Sequence, residues 1–166
     1  MKAIVCINDI NGIGYKGAVP WKSQFYIDFL KEQVLGNGNN AVVMGHRTFK
    51  SMHYRPVPGV RNYILTRDPT LSKKISGDVV VETCEENIWF LNFIFEDVYI
   101  LGGSEIFALF EPYISTIYAF HIHNENVCDR FFPINLITFA ENMRKNIPDP
   151  PYKMTYCEYT RMSTDL

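Results

Sequence analysis

Long runs of any one kind are missing from this sequence. No stretch approaches the roughly 20 apolar residues of a membrane-spanning helix, and no run of lysine or arginine exceeds two. With 20% charged residues and a formal net charge of -2, the chain lacks the basic footprint that binds nucleic acid or an anionic membrane surface. Neither is expected as a partner. Cysteine is sparse: Cys6, Cys84, Cys128 and Cys157 lie far apart with no Cys-x-x-Cys pair, which fits free thiols in a reducing cytosol. The four histidines offer no paired ligand spacing beyond His121-x-His123, and no metal site is expected. The first apolar run, Ala3 to Ile7, is too short for a signal-peptide core, so a cytoplasmic protein is expected. Repeats, linkers and low-complexity tracts are also lacking.

What is present is 166 residues of 47% hydrophobic composition, enough for one domain (1–166) that buries roughly 70% of its unfolded surface. A monomer acting on a small molecule is the expectation. The stretch from Ile7 to Leu35 organises the rest. Gly12, Gly14 and Gly17 let a loop bend and bring main chain close to a ligand, and Pro20-Trp21 stiffens its exit. Ser23 is a good N-cap for an apolar helix after it. At about 100° per residue, Tyr26, Ile27, Leu30 and Val34 lie on one side and Asp28, Lys31 and Glu32 largely on another. Tyr26 is therefore expected to face inward and Asp28 to face water.

Further along, Ala41 to Met44, Asn62 to Leu65, Val79 to Val81, Val98 to Leu101 and Ser115 to Ile122 read as short strands, and Glu85 to Phe95 as a packing helix. Three strand ends carry polar chemistry. Gly45 is followed by His46, Arg47, Thr48 and Phe49, a short helix start whose N–H groups and basic side chains suit an anion; a plain surface helix start reads the same way. Leu65 is followed by Thr66 and Arg67. Leu101 is followed by Gly102-Gly103 and the helix opened by Ser104, which alone is a weak phosphate motif. Strands alternating with helices predict an α/β fold with helices on both faces of a mostly parallel central sheet, whose ligands bind at the carboxyl ends of the strands. The tail, alternating through Met154, Tyr156 and Tyr159, predicts an antiparallel C-terminal edge hairpin.

The order of these segments resembles the dihydrofolate reductase family over essentially the whole chain. Ile13-Gly14 and Pro20-Trp21 are similar to its mobile loop, and Val43 to Phe49 to its MGRKTF-type segment. Arg55 to Gly59 resembles its RPLPG turn, Tyr99 to Phe107 its VIGG segment, and Phe132-Pro133 its FP pair. The resemblance implies NADPH as hydride donor. It places His46 and Arg47 with Thr66 and Arg67 around the adenosine 2'-phosphate, where arginine forks suit the anion, with Gly45, Thr48 and Leu65 as further cofactor contacts. Gly102, Gly103 and Ser104 would cover the pyrophosphate, and Leu101, Ile106 and Phe107 with Ile13, Gly14 and Ala18 of the loop would be further cofactor contacts. A cis peptide between the two glycines is implied as well.

The substrate half departs from the family. Counting from Pro20-Trp21, the position of the family's buried acid holds Tyr26, and the threonine that hydrogen-bonds that acid is matched by Phe120. The arginine that clamps the glutamate carboxylate of folate is matched by Val60, and a tyrosine near the nicotinamide by Phe107. The remaining substrate contacts implied are Val5, Cys6, Ile27 and Leu30, and Trp21 is implied as a further catalytic residue. Asp28 is the alternative acid, available only if the helix is re-registered. Reducing a pterin C=N bond needs a hydride and a proton on nitrogen, and a tyrosine with a pKa near about 10 is neutral and offers only hydrogen bonds. Losing the charge-assisted pair removes about 1.5–3 kcal/mol, and losing the arginine fork a comparable amount. The expected function is NADPH-dependent reduction of dihydrofolate or a related pteridine, with weak folate recognition. A reductase of a different uncharged substrate, or a non-enzymatic nucleotide- or partner-binding homologue, are the alternatives.

Overall fold

The computed structural model describes residues 1–75 and 77–163. β1 (Lys2–Asn8) leads through a short β2 (Gly12–Gly14) into α1 (Gln24–Leu35), then β3 (Asn40–Gly45), α2 (His46–Ser51) and β4 (Arg61–Leu65). β5 (Val79–Glu82), α3 (Glu85–Trp89), β6 (Asp97–Ile100), α4 (Ser104–Phe110) and β7 (Thr116–Ile122) follow. β8 (Arg130–Phe131) pairs with β2, and β9 (Phe139–Asp149) and β10 (Tyr152–Arg161) form the final hairpin. The eight-stranded sheet runs β5-β4-β3-β6-β1-β7-β10-β9. Its first six strands are parallel and the last two pairings antiparallel, which is the predicted α/β class.

β1 lies in the middle because its apolar run has no polar face to give to water. Ala3, Val5 and Ile7 pack into one core with Ile100, Phe107 and Ile117, whereas Ile4 and Cys6 point to the opposite side. The same alternation sends Met154 and Tyr156 of β10 to the α1 side and Cys157 and Tyr159 to the other. The turn before β4 is tied from inside. The buried Asn62 side chain accepts from the Val57 N–H at 2.9 Å and donates to the Val57 and Val60 carbonyls at 2.9 and 3.0 Å, satisfying groups that burial would otherwise leave unpaired.

Two expectations need correction. α1 is capped as predicted, Ser23 Oγ accepting from the Tyr26 N–H at 3.0 Å. Its inward stripe, however, runs through Tyr26, Phe29, Leu30 and Val34, and Ile27 is 39% exposed. One residue past Tyr26 the side chain has already rotated off a stripe centred on i, i+3, i+4 and i+8. The segment Glu85 to Phe95 is not one helix: α3 ends at Trp89 and a 3₁₀ turn covers Phe90–Phe93. Ile88 and Leu91 are its buried members, and a three-residue turn stacks positions three apart on one side. Phe90, Phe93 and Ile94 are left exposed, so this segment packs through only part of its apolar surface.

Candidate active site

A cavity of about 690 Å³ opens over the carboxyl ends of β3, β4 and β6, where a parallel sheet leaves a crevice between diverging connections. Gly45, His46, Arg47 and Thr48 line it from the start of α2, and Leu65, Thr66 and Arg67 from the end of β4. Leu101, Gly103, Ser104, Ile106 and Phe107 line it from β6 and α4, and Ile13, Gly14 and Ala18 from the loop after β1. Val5, Cys6 and Tyr26 form its inner wall. Residues far apart in sequence are thus gathered because three successive strands end at the same level.

The glycine pair lets the backbone close that level. The Gly102-Gly103 peptide is cis and Gly102 has φ +99. A Cβ on Gly102 would meet the Phe107 ring at 2.7 Å, so both its conformation and its space require glycine. Its carbonyl accepts the Gly45 N–H at 2.8 Å, which joins the β3 and β6 ends. The loop is pinned at Asn8, whose Oδ1 accepts the Gly12 N–H at 2.7 Å, and Tyr15 and Ala18 exchange backbone hydrogen bonds at 2.8 and 3.1 Å. Asp129 reaches the loop as well, accepting from the Lys16 N–H at 3.0 Å.

The outer end of the cavity carries charge of both signs. Arg47 and Arg67 approach from two connections, and Glu105 of α4 stands between them, its Oε1 3.7 Å from Arg47 and its Oε2 3.8 Å from Arg67. Asp68 is occupied locally: the Thr70 hydroxyl and N–H donate to it at 2.7 and 2.9 Å and hold its carboxyl below the usual range. His46 Nε2 is buried with no hydrogen-bond partner among the described residues.

The inner wall is neutral, and behind it lies an aromatic cluster centred on Phe120, which stands back from the cavity surface. Cys6 stands beside Phe120 across the β1–β7 pair, and Phe120 beside Tyr156 across β7–β10. Phe120 is fully buried and takes the Tyr26 ring edge-on at 5.3 Å, with Phe29 and Tyr156 each at 4.9 Å. Burial pushes the Cys6 thiol up to about 12, against a smaller opposing effect of the Trp21 side chain. Burial, then the neighbouring Cys6, pushes the Tyr26 phenol far above its ordinary value. Both groups therefore stay protonated at neutral pH, and the wall has no charge to offer.

Several predicted residues stand back from the cavity surface. Trp21 is buried behind the wall with Cys6 and Phe120, and its indole N–H has no hydrogen-bond partner among the described residues. Val60 and Leu30 belong to the core beneath α1, while Ile27 is outside the lining. Asp28 points to solvent and accepts from the Gln24 side chain at 2.8 Å. Reasoning from sequence missed Glu105, which follows directly after the Gly-Gly-Ser segment, and missed Phe29 and Tyr156, which reach Phe120 only through tertiary packing.

The model of the family described as dihydrofolate reductase matches residues 1–161. The chain belongs to the dihydrofolate reductase family. It is 30% identical over 168 residues to the dihydrofolate reductase of Staphylococcus haemolyticus, with 96% of this chain and 94% of that protein covered. The dihydrofolate reductase of Aedes albopictus is 32% identical, with 89% and 84% covered. A solved structure of the Enterococcus faecalis dihydrofolate reductase, complexed with NADP(H) and RAB-propyl, superimposes with a TM-score of 0.85 at 27% identity, over 98% of this chain and 96% of that one. The cavity at the strand ends thus lies in a chain with the family's fold, and its inner wall, Val5, Cys6 and Tyr26, is backed by the buried Phe120.

Proposed function

We propose that this dihydrofolate reductase homologue is an NADPH-dependent reductase of dihydrofolate or a related pteridine, with weakened folate recognition. The observation that carries the reading is the contrast within one cavity between a strand-end cradle suited to a dinucleotide and a neutral inner wall. Residues of the cradle fit the cofactor: Gly45 and Gly103 line the cavity without side chains to obstruct it, and a Cβ at Gly103 would meet Thr48 Oγ1 at 3.6 Å. Arg47 and Arg67 supply forks for a phosphate, and Ser104 lines the same side. NADPH when bound supplies a hydride to an electrophilic carbon of the substrate.

The chain's own residues would bind and orient the substrate ring against Val5, Cys6 and Tyr26, excluding water from that side. Tyr26, held protonated, donates or accepts a hydrogen bond but cannot stabilise a cationic ring as a carboxylate does. Val60 and Phe120 bring no charge to the substrate side either, and Asp28 lies on the outer surface of α1. Protonation of the reduced nitrogen then relies on solvent reaching it from the loop side. This favours a second reading as well, in which the preferred substrate is a smaller neutral heteroaromatic without the glutamate tail. The proposed enzyme is a single-domain monomer of the cytosol; among the described residues no helix is long and apolar enough to cross a membrane.

The deciding experiment is NADPH oxidation followed with dihydrofolate and then with smaller neutral pterins. Slow turnover of dihydrofolate with a high KM is expected. Turnover of order 10 per second at low KM, typical of good enzymes, would overturn weakened recognition, and no oxidation with any pteridine would overturn the reductase reading.

A further inference from the structure

The cradle contains a carboxylate where an incoming phosphate needs positive charge. Glu105 spans Arg47 and Arg67 at 3.7 and 3.8 Å, distances of ion pairing without direct hydrogen bonds, and all three side chains line the cavity. The Arg47 and Arg67 side chains are 69% and 93% exposed, so neither is committed to holding the fold. The other nearby acid, Asp68, is turned toward Thr70 and does not bridge the pair. We propose that Glu105 is a specificity-determining residue that occupies the anion cradle from within and must be displaced by the 2'-phosphate, lowering the preference for NADPH over NADH. The inference rests on the NADPH reading above.

A monoester phosphate carries about -1.5 to -2 at neutral pH, and its attraction to two arginines is opposed by a carboxylate already between them. Exposed pairs of this kind are weak singly, typically a factor of about 1.5 to 5 each, and act together here because one carboxylate serves both arginines. The effect is specific to the 2'-phosphate, since NADH has nothing to place between Arg47 and Arg67. Ionic strength screens it, because all three groups face solvent.

Dissociation constants for NADPH, NADH and adenosine 2',5'-bisphosphate are to be measured on the whole protein and on Glu105→Gln, at low and at high salt. Glu105→Gln is expected to tighten NADPH and the bisphosphate by roughly three- to ten-fold at low salt and to change NADH by less than about two-fold, with the gain shrinking at high salt. Arg67→Ala should also weaken NADPH more in the Glu105→Gln background than in the original chain. An unchanged or weakened NADPH affinity, or an equal gain for NADH, overturns the inference while leaving the NADPH reading standing. Failure of the unmodified protein and of Glu105→Gln alike to prefer NADPH overturns both.

Discussion

Replacing Phe120 by threonine, the residue type that the family resemblance implies there, restores the hydroxyl but removes the centre of an aromatic cluster. The Phe120 side chain is fully buried and touches Tyr26, Phe29 and Tyr156 at ring separations of 5.3, 4.9 and 4.9 Å. Truncating a buried phenylalanine costs about 3–5 kcal/mol, and a new buried hydroxyl without a partner adds about 1–3 kcal/mol. Against a total stability of about 5–15 kcal/mol, a loss of about 4 kcal/mol or more removes between about a quarter and most of what holds the chain folded. At about 2–4 °C per kcal/mol for a chain of this size, Tm should fall by roughly 10–20 °C. Urea unfolding of the single variants and the double variant measures this directly. With Tyr26→Asp also present, the new hydroxyl gains a carboxylate to donate to, so the double variant should be more stable than additivity predicts by about 1–3 kcal/mol. A single-variant loss under about 1.5 kcal/mol, or an additive cycle, would refute the view that this cluster fixes the wall, since pair energies alone reach that size.

In hydrogen exchange, the segment from Asp9 to Trp21 should be poorly protected without ligand and become protected with NADPH, because few of its side chains are buried and glycines cost entropy to order; high protection unchanged by NADPH would contradict a closing loop. Asp28→Asn should keep kcat/KM within about two-fold, its carboxylate facing solvent beside Gln24, whereas a hundred-fold loss would mean that α1 is turned in the working enzyme. Burial, then the charges of Arg144 and His123, lowers the pKa of His121, whose ring lies 3.2 Å from the Tyr159 hydroxyl. The unfolded chain protonates this histidine near about pH 6.5 and the folded chain only at lower pH, so its contribution is complete above that value and is lost as pH falls from there through the folded pKa. Urea midpoints measured from pH 8 to pH 5 should fall less steeply in His121→Gln.

The sheet was legible because its parallel strands are apolar on both faces and short, and because their ends carry residues that strands do not use, such as Gly45-His46-Arg47 and Thr66-Arg67. The capping of α1 by Ser23 was equally local. Periodicity, however, gives the direction of a side chain about its own axis and not what lies along that direction. It therefore grouped Ile27 with Tyr26, though the inward stripe passes to the other side through Phe29. It also made one helix of Glu85 to Phe95, where the burial of only Ile88 and Leu91 permits a tighter turn. Glu105 was hidden for a related reason: α4 brings it to two arginines that belong to separate connections, and only the strand order sets that meeting.

The chain has two tryptophans, and the fold puts them in unlike surroundings. Trp21 is 4% exposed at the exit of the loop, against the Cys6 wall, and Trp89 is 36% exposed on α3 among Phe90, Phe93 and Tyr113. One indole thus emits from a dry environment next to the cavity and the other from a wet one on α3. The two indoles should therefore emit at different wavelengths, Trp21 to the blue of Trp89, without any attached dye. Replacing Trp89 alone, on the surface, would leave a single indole, buried at the exit of the loop, as the chain's one tryptophan signal.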